Sequence, residues 1–266
     1  MQTKYPFVTV DQMGESCKLQ SKPKRIISLV PSQTELLFDL GLDDEIVGIT
    51  KFCNHPVDKV KACIKIGGTK KFNYDVIAEL KPDLIIGNKE ENYQEGIEYL
   101  KQLYPVWMSD IANIEDALQM ISAIGKLVEK PEKAQQMVLD ISESLSNQGE
   151  KLSLSAAYLI WQQPFMTVGK GTFIDEIMQL CGLQNIFAEQ ERYPETTLEE
   201  LKKLQPDVLM LSTEPYPFKN EHVEILQSEF PDTKVILVDA MYFSWYGSRL
   251  LGTGEYSRSV KQLLLK

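Results

Sequence analysis

The segment LKPDLIIGNKEEN at 80–92 returns at 204–216 as LQPDVLMLSTEPY. Each copy runs leucine, one variable residue, Pro-Asp, an apolar stretch and then a polar segment carrying Glu. The apolar stretches have the length and residue types of buried strands, and each proline stops the helix before it. A chain that builds one strand-and-loop device in both halves is constrained to fold as two similar lobes. With 266 residues, 43% of them hydrophobic, it is long enough to bury two cores.

The flanks of the two copies keep the same order. In the first half RIISLV (25–30) reads as a strand ending at Pro31. SQTELLFDLGL follows as a helix, with Ser32 as its cap, Glu35 three positions on as in a capping box, and Gly41 closing it. EIVGIT (45–50), DLIIG (83–87) and PVWMS (105–109) read as further strands, with YDVIAEL (74–80) and ENYQEGIEYLKQL (91–103) as helices. In the second half AAYLIW (156–161), DVLML (207–211) and KVILVD (234–239) are the strands. TFIDEIMQLCGL (172–183), TLEELKKL (197–204) and a segment around 221–229 are the helices. This alternation predicts an α/β fold with mostly parallel sheets and crossover helices.

A different kind of sequence lies between the copies. IEDALQMISAIGKLVEK (114–130) is helical, and Pro131 stands at the start of PEKAQQMVLDISESLSNQG (131–149), where proline suits a first helical turn. No Gly or Pro interrupts that second helix before Gly149, so it reads as a rod roughly 28 Å long at about 1.5 Å per residue. The expected organisation is an N-terminal α/β lobe at 1–113, a helical connection at 114–150 with its backbone helix at 131–149, and a C-terminal α/β lobe at 151–266. In α/β sheets ligands bind outside the carboxyl ends of the strands. Two such lobes predict a ligand cleft between them.

The segments after the strands therefore carry the chemistry. In the first half they are VPSQTE, KFCNHP, NKEEN and Asp110; in the second, WQQPFMTVGKGTF, STEPYPF and DAMYFSWYGSR. They are aromatic and amide-rich, with Phe52, Trp161, Phe165, Phe173, Tyr216, Phe218, Tyr242, Phe243, Trp245 and Tyr246 in or beside them. Any one of these rings is as well explained as the edge of a core. Four aromatics within 242–246 cannot easily all point inward, and a large flat ligand would use such rings.

Other function classes are disfavoured. A formal charge of −10, from 38 acidic against 28 basic residues, argues against nucleic acid and against an anionic membrane surface. No apolar stretch reaches the roughly 18–20 residues of a membrane span. The N-terminal MQTKYPFVTVDQMGESCKLQ has no apolar signal core, and Cys17 lacks the apolar run of a lipoprotein signal. The expectation from the residues as written is a cytoplasmic chain, or a periplasmic or cell-envelope one if an export signal has been removed. VGKGT (168–172) has Gly171 where a phosphate loop needs Ser or Thr, and no GxSxG is present. The two histidines, His55 and His222, are too few for a His-rich metal site, and KEE (89–91) has no partner base. Cys17, Cys53, Cys63 and Cys181 form no CxxC, with Cys53–Cys63 the one local disulfide candidate. A non-enzymatic binding protein without a metal site is expected.

Taken in order, VTVDQMG, PKRIISLVPSQTELLFDLG, VGITKFCNHP, KIGGTK, LKPDLIIGNKEEN, PFMTVGKGTFIDEIMQLCG, NIF, RYPE, LQPDVLMLSTEPYPF and SWYGSR span nearly the whole chain. In this order and spacing the chain resembles the helical-backbone (class III) substrate-binding proteins of ABC importers for cobalamin, haem and ferric siderophores, and within them the cobalamin-binding branch. The resemblance implies two Rossmann-like lobes on one rigid helix, with a metal chelate between them as cargo and no covalently bound cofactor. Carried over by position, it implies that Pro31, Phe52 and Asn88 line the first-lobe side. Met166 and the run Tyr242, Phe243 and Trp245 would line the second; the strand-end segments themselves add Trp161, Phe165, Tyr216 and Arg249 as ligand-binding candidates. Asn88 and Met166 depart from the aromatic residues of the cobalamin binders. An anionic siderophore would call on Lys70, Lys89, Arg192 and Arg249, and haem on His55 or Tyr242 as axial ligand. The resemblance also implies a monomer that docks on an ABC permease through one acidic residue per lobe. Glu90, Glu91 and Glu95 are available on the first lobe. On the second the matching position is Ser244, which is uncharged, so Glu214 or Glu221 would substitute. A cytoplasmic corrinoid carrier or sensor, and an enzyme acting on a tetrapyrrole, are the remaining alternatives.

Overall fold

The computed structural model describes residues 4–149 and 152–266. Two compact α/β units emerge. The first takes the chain up to Ile111 together with Glu115–Asp140 and Tyr246–Arg249. The second comprises Ala112–Ile114, Ile141–Trp245 and Leu250–Lys266. The sequence expectation set the helical connection apart, with its second boundary at 150/151; those two residues lie outside the described ones.

The first unit opens with an antiparallel pair, β1 (Phe7–Val10) and β2 (Ser16–Leu19). Then come β3 (Ile26–Ser28), α1 (Pro31–Asp39), β4 (Ile46–Ile49), α2 (Val57–Val60), β5 (Ile64–Lys65), and the two-residue strands β6 (Gly67–Gly68) and β7 (Lys71–Phe72). The unit continues with α3 (Tyr74–Leu80), β8 (Leu84–Asn88), α4 (Gln94–Lys101), β9 (Val106–Ser109) and α5 (Ile114–Leu127). Its main sheet has the order β5-β4-β3-β8-β9, with every pairing parallel. Strands β3, β8 and β9 are buried along their whole length, as uninterrupted apolar runs require when helices cover both faces. Ile27, Leu29, Ile66, Phe72, Ile85, Ile97 and Met108 form one core cluster.

Helix α6 (Pro131–Ser146) follows, and the boundary between the units falls inside it, at Asp140 and Ile141. Its 16 residues make it about 24 Å long, shorter than the segment 131–149 suggested. In the second unit β10 (Leu154–Trp161) is followed by β11 (Phe165–Thr167), α7 (Phe173–Leu180), β12 (Leu183–Asn185), β13 (Glu195–Thr196), α8 (Leu198–Leu204) and β14 (Val208–Ser212). The chain ends with α9 (Asn220–Glu229), β15 (Lys234–Val238), α10 (Met241–Ser244) and α11 (Leu250–Leu264). The sheet order is β13-β11-β10-β14-β15, with β12 also paired to β10. The pairings β12–β10–β14–β15 are parallel, whereas β10–β11 and β11–β13 are antiparallel.

The repeated Pro-Asp device is the same joint in both units. Helices α3 and α8 each close on a left-handed residue, Lys81 at φ 45° and Gln205 at φ 46°. Pro82 and Pro206 then forbid another helical turn. The aspartate that follows ties its strand to the amino end of the neighbouring strand. Asp83 accepts the amides of Lys24 and Arg25 at 2.8 and 2.9 Å. Asp207 accepts the amide and hydroxyl of Ser155 at 2.7 and 2.6 Å.

One local expectation is corrected. Helix α1 begins at Pro31 with Val30 as its N-cap and no side-chain cap, so Ser32 and Glu35 lie buried inside the helix and form no capping box. Pro31, with its φ preset, takes the first helical position. Thr34 donates back to the Val30 carbonyl at 2.9 Å. The four cysteines are free thiols, Cys53 within 3.1 and 3.2 Å of the hydroxyls of Thr34 and Thr50. Among the described residues no helix is long and apolar enough to cross a membrane.

Candidate functional site

In the first unit the carboxyl ends of the parallel strands rest on a buried amide and hydroxyl layer. Gln33 donates to the Gly87 carbonyl at 3.2 Å and the Ser109 hydroxyl at 2.6 Å. Asn92 donates to the carbonyls of Leu29 and Thr69, and accepts the amide of Asn88 at 2.9 Å. Asn88 itself is 1% exposed. Its Nδ2 donates to the carbonyl and hydroxyl of Ser109, and its Oδ1 accepts the amides of Glu90 and Glu91 at 2.9 and 3.1 Å. Asn88 is thereby corrected from a ligand contact to the residue that folds the turn after β8, its hydrogen-bonding capacity spent inside the protein.

Phe52 lies on the loop after β4 and is 52% exposed. Lys51 lies over its ring at 5.0 Å, and a Cβ at Gly68 would come 3.2 Å from the ring edge, so the glycine makes room for it. Pro31 is half-buried at the start of α1. The cations of this face have partners. Lys89 pairs with Asp110 at 2.6 Å, and Lys70 donates to the Glu90 carbonyl at 2.6 Å. Arg249, which belongs to this unit, forks the Glu35 carboxylate, with Nε to Oε2 at 3.1 Å and Nη2 to Oε1 as the second bond. Burial drives the Glu35 carboxyl above its ordinary range, against the lowering influence of Arg249 and with a smaller push from Asp39.

In the second unit Trp161 ends β10 and is 40% exposed. It meets Tyr216 edge-on at 5.7 Å, and Tyr216 in turn packs on Phe218 and on His222, whose Nδ1 accepts the Lys219 amide and so caps α9. Phe165 and Met166, both half-buried, lie on β11, where Met166 is registered against Trp161. Tyr242 is half-buried and stacks on Tyr256 at 4.4 Å and 14°. Trp245 is 7% exposed and closes α10. Phe243 is fully buried, 5.0 Å from the Tyr158 ring, and is corrected from ligand contact to core: α10 is a single turn, so only part of its circumference can face outward. Arg192 donates to the Gly171 carbonyl at 2.9 Å.

Of the acidic residues, Glu95 is exposed in the first turn of α4, and Glu90 and Glu91 are half-buried before it. Glu214 is exposed as a residue, yet its carboxyl is partly desolvated. That desolvation, with Asp239 nearby, raises its pKa. Among the described residues no three His, Cys, Asp or Glu side chains gather as a metal site. Sequence reasoning missed the roles of Gln33, Asn92, Ser109 and Glu35. Glu35 and Arg249 are 214 positions apart, so no local pattern could have paired them.

Two α/β units with aromatic side chains on the loops after their parallel strands have the construction of a small-molecule receptor. The profile of the periplasmic binding protein family matches residues 26–231. The chain belongs to that family. It is similar to the vitamin B12-binding protein of Pectobacterium carotovorum subsp. carotovorum, at 26% identity over 237 residues, covering 86% of this chain and 85% of that one. Its fold is that of the periplasmic vitamin B12-binding protein BtuF of Vibrio cholerae, with TM-score 0.80 and 24% identity over 92% of this chain and 99% of that one. It is also that of the periplasmic haem-binding protein RhuT of Roseiflexus, with TM-score 0.78 and 19% identity over 91% and 97%.

Proposed function

We propose that the chain is the non-enzymatic substrate-binding component of an ABC import system, and that its cargo is cobalamin or another corrinoid. The observation that carries this reading is the set of accessible rings on the strand-end loops: Phe52 in the first unit, and Trp161 with Tyr216 in the second. Covering about 100 Å² of such a ring contributes roughly 2.5 kcal/mol gross, before the entropy lost on association is subtracted. Pro31 in the first unit, and Phe165, Met166 and Tyr242 in the second, are the further contacts of this reading.

Corrinoid is favoured over an anionic siderophore or haem by the state of the cations. Arg249 is engaged by Glu35, Lys89 by Asp110, and Lys70 and Arg192 by backbone carbonyls. Recruiting Arg249 or Lys89 for a cargo carboxylate or catecholate would compete with the carboxylate each already holds, whereas Lys70 and Arg192 keep further N–H donors. Relatives described as periplasmic support the cell envelope as the working compartment, with Glu90, Glu91 and Glu95 as the first unit's docking residues for a permease. The binding unit is a monomer.

Calorimetry against cyanocobalamin, with haemin and a ferric catecholate alongside, tests the reading. One-to-one binding of cyanocobalamin at micromolar affinity or tighter is expected, weakened on the order of tenfold in Phe52→Ala and in Trp161→Ala. Binding of haemin or the catecholate in preference to cyanocobalamin would overturn the cargo assignment.

A further inference from the structure

In the second unit the segment EPYPFKNEH (214–222) runs from the end of β14 into α9 and sets Tyr216 between two prolines. Proline restricts its own φ and the backbone of the residue before it, so the main chain at Tyr216 has little freedom. The Tyr216 amide also donates to the Ile160 carbonyl at 3.2 Å, and the Phe218 amide to the Tyr216 carbonyl at 2.8 Å. With the main chain tied down, the place of the half-buried ring depends on what the side chain meets. It meets Trp161 at 5.7 Å, the buried Phe218 at 4.7 Å and His222 at 5.6 Å.

His222 is itself held by a hydrogen bond. It is the third residue of α9, and its side chain reaches back over the first turn as the Glu or Gln of a capping box does. Its Nδ1 accepts the Lys219 amide at 2.9 Å. A backbone amide can only donate, so Nδ1 carries a lone pair and the proton of the neutral imidazole sits on Nε2. Nε2 lies 3.4 Å from the Tyr216 hydroxyl oxygen, which therefore accepts that N–H. The imidazole stands edge-on to Tyr216 at 82° and to Phe218 at 86°, so it is wedged as well as bonded.

From this geometry we infer that His222 is a positioning residue for cargo binding: the cap of α9 fixes its tautomer, and its Nε2–H fixes the Tyr216 ring against Trp161. The inference rests on the cargo reading above for its effect on affinity, though not for the tautomer or the ring contacts. A histidine that by sequence reads as a surface residue is a strut behind two of the rings assigned to the cargo. A ring fixed in advance avoids the ordering cost that a free side chain would add to association. Because His222 acts through Tyr216, its removal should matter only while Tyr216 is present.

The test combines signatures of the free protein with binding. The chain has two histidines, so the imidazole signals lost in His222→Gln are those of His222. In a long-range 1H–15N spectrum in mildly alkaline buffer, its Nδ1 should appear unprotonated and its Nε2 protonated. The Trp161 indole N–H resonance, identified by its loss in Trp161→Phe, should move in His222→Gln as the Tyr216 ring turns. Gln at this position keeps an acceptor for the Lys219 amide, so α9 stays capped. Cyanocobalamin affinity should nevertheless fall on the order of fivefold in His222→Gln. On a Tyr216→Ala background the same change should cost less than about twofold. A proton on Nδ1 or an unmoved Trp161 resonance overturns the proposal. So does wild-type affinity in His222→Gln, which would reduce His222 to a helix cap, and so does an equal loss with and without Tyr216. If wild-type protein fails to bind cyanocobalamin while both signatures of the free protein hold, the cargo reading falls and the His222–Tyr216 bond stands.

Discussion

Asp83 and Asp207 show how one residue can define a sheet joint. Each carboxylate accepts two hydrogen bonds from the start of the adjacent central strand, so each strand pair is closed at its amino end before the ladder begins. Because both joints are exposed, water can partly replace them. Asp207→Ala is therefore expected to lose about 1 kcal/mol at neutral pH. The Ser155 hydroxyl and amide hold the Asp207 carboxyl below its ordinary value. A carboxylate whose folded pKa is depressed stabilises above its unfolded pKa, about 4, and that contribution is lost as pH falls through the lower folded value. The difference in urea midpoint between wild type and Asp207→Ala should hold steady from pH 7 to pH 5 and narrow by pH 3. A gap that does not narrow would mean that the charge of Asp207 is not what the joint uses. The Pro-Asp motif was legible in sequence as a repeat, but its job was not, because its partners at Lys24, Arg25 and Ser155 are more than 50 positions away. Asn88 and Phe243 misled for a similar reason: residue type and place after a strand suggest a contact, while burial is decided by distant neighbours.

At the level of elements, the parallel strands and the helices between them were readable, since continuous apolar runs and capping residues are local signals. Thr172 and Thr197 do cap α7 and α8, accepting the amides of Asp175 and Glu200. The antiparallel additions β11 and β13, the short pairs β1–β2 and β6–β7, and the 15-residue α11 were not foreseen. Two glycines, Gly252 and Gly254, sit inside α11, each costing roughly 1 kcal/mol of helix propensity. Gly254 is there because a Cβ would meet the Ser144 carbonyl oxygen at 2.2 Å, so α11 can pack onto the end of α6 only without a side chain. The same close approach joins α5 to α6, where a Cβ on Gly125 would lie 2.2 Å from the Ala134 Cβ. Gly125→Ala raises helix propensity, yet it should destabilise the first unit by about 1–3 kcal/mol, because neither helix backbone can yield cheaply. A rise in the urea midpoint of Gly125→Ala would show that the two helices can part without loss.

On the scale of the whole molecule, ligand binding and stability are linked through mass action. Cyanocobalamin at about a hundred times its dissociation constant should stabilise what it binds by about 2.7 kcal/mol, raising the melting temperature by about 5–10 °C. A chain of two compact units need not melt in one step, and this makes the experiment more informative. If Phe52 of the first unit and Trp161 and Tyr216 of the second all grip the cargo, every transition in the scan should rise with ligand. A rise confined to one transition would assign the contacts to a single unit. Repeating the scan between low and high salt separates the cargo classes, since ion pairs at exposed positions are screened within about 10 Å at 0.1 M salt, whereas ring contacts are not. With Arg249 and Lys89 charge-paired inside the protein and an uncharged ring surface as the main contact, the ligand-induced shift should be nearly independent of salt. A shift that collapses at high salt would mean that these cations leave their partners for an anionic cargo, and would replace the corrinoid reading with the siderophore one.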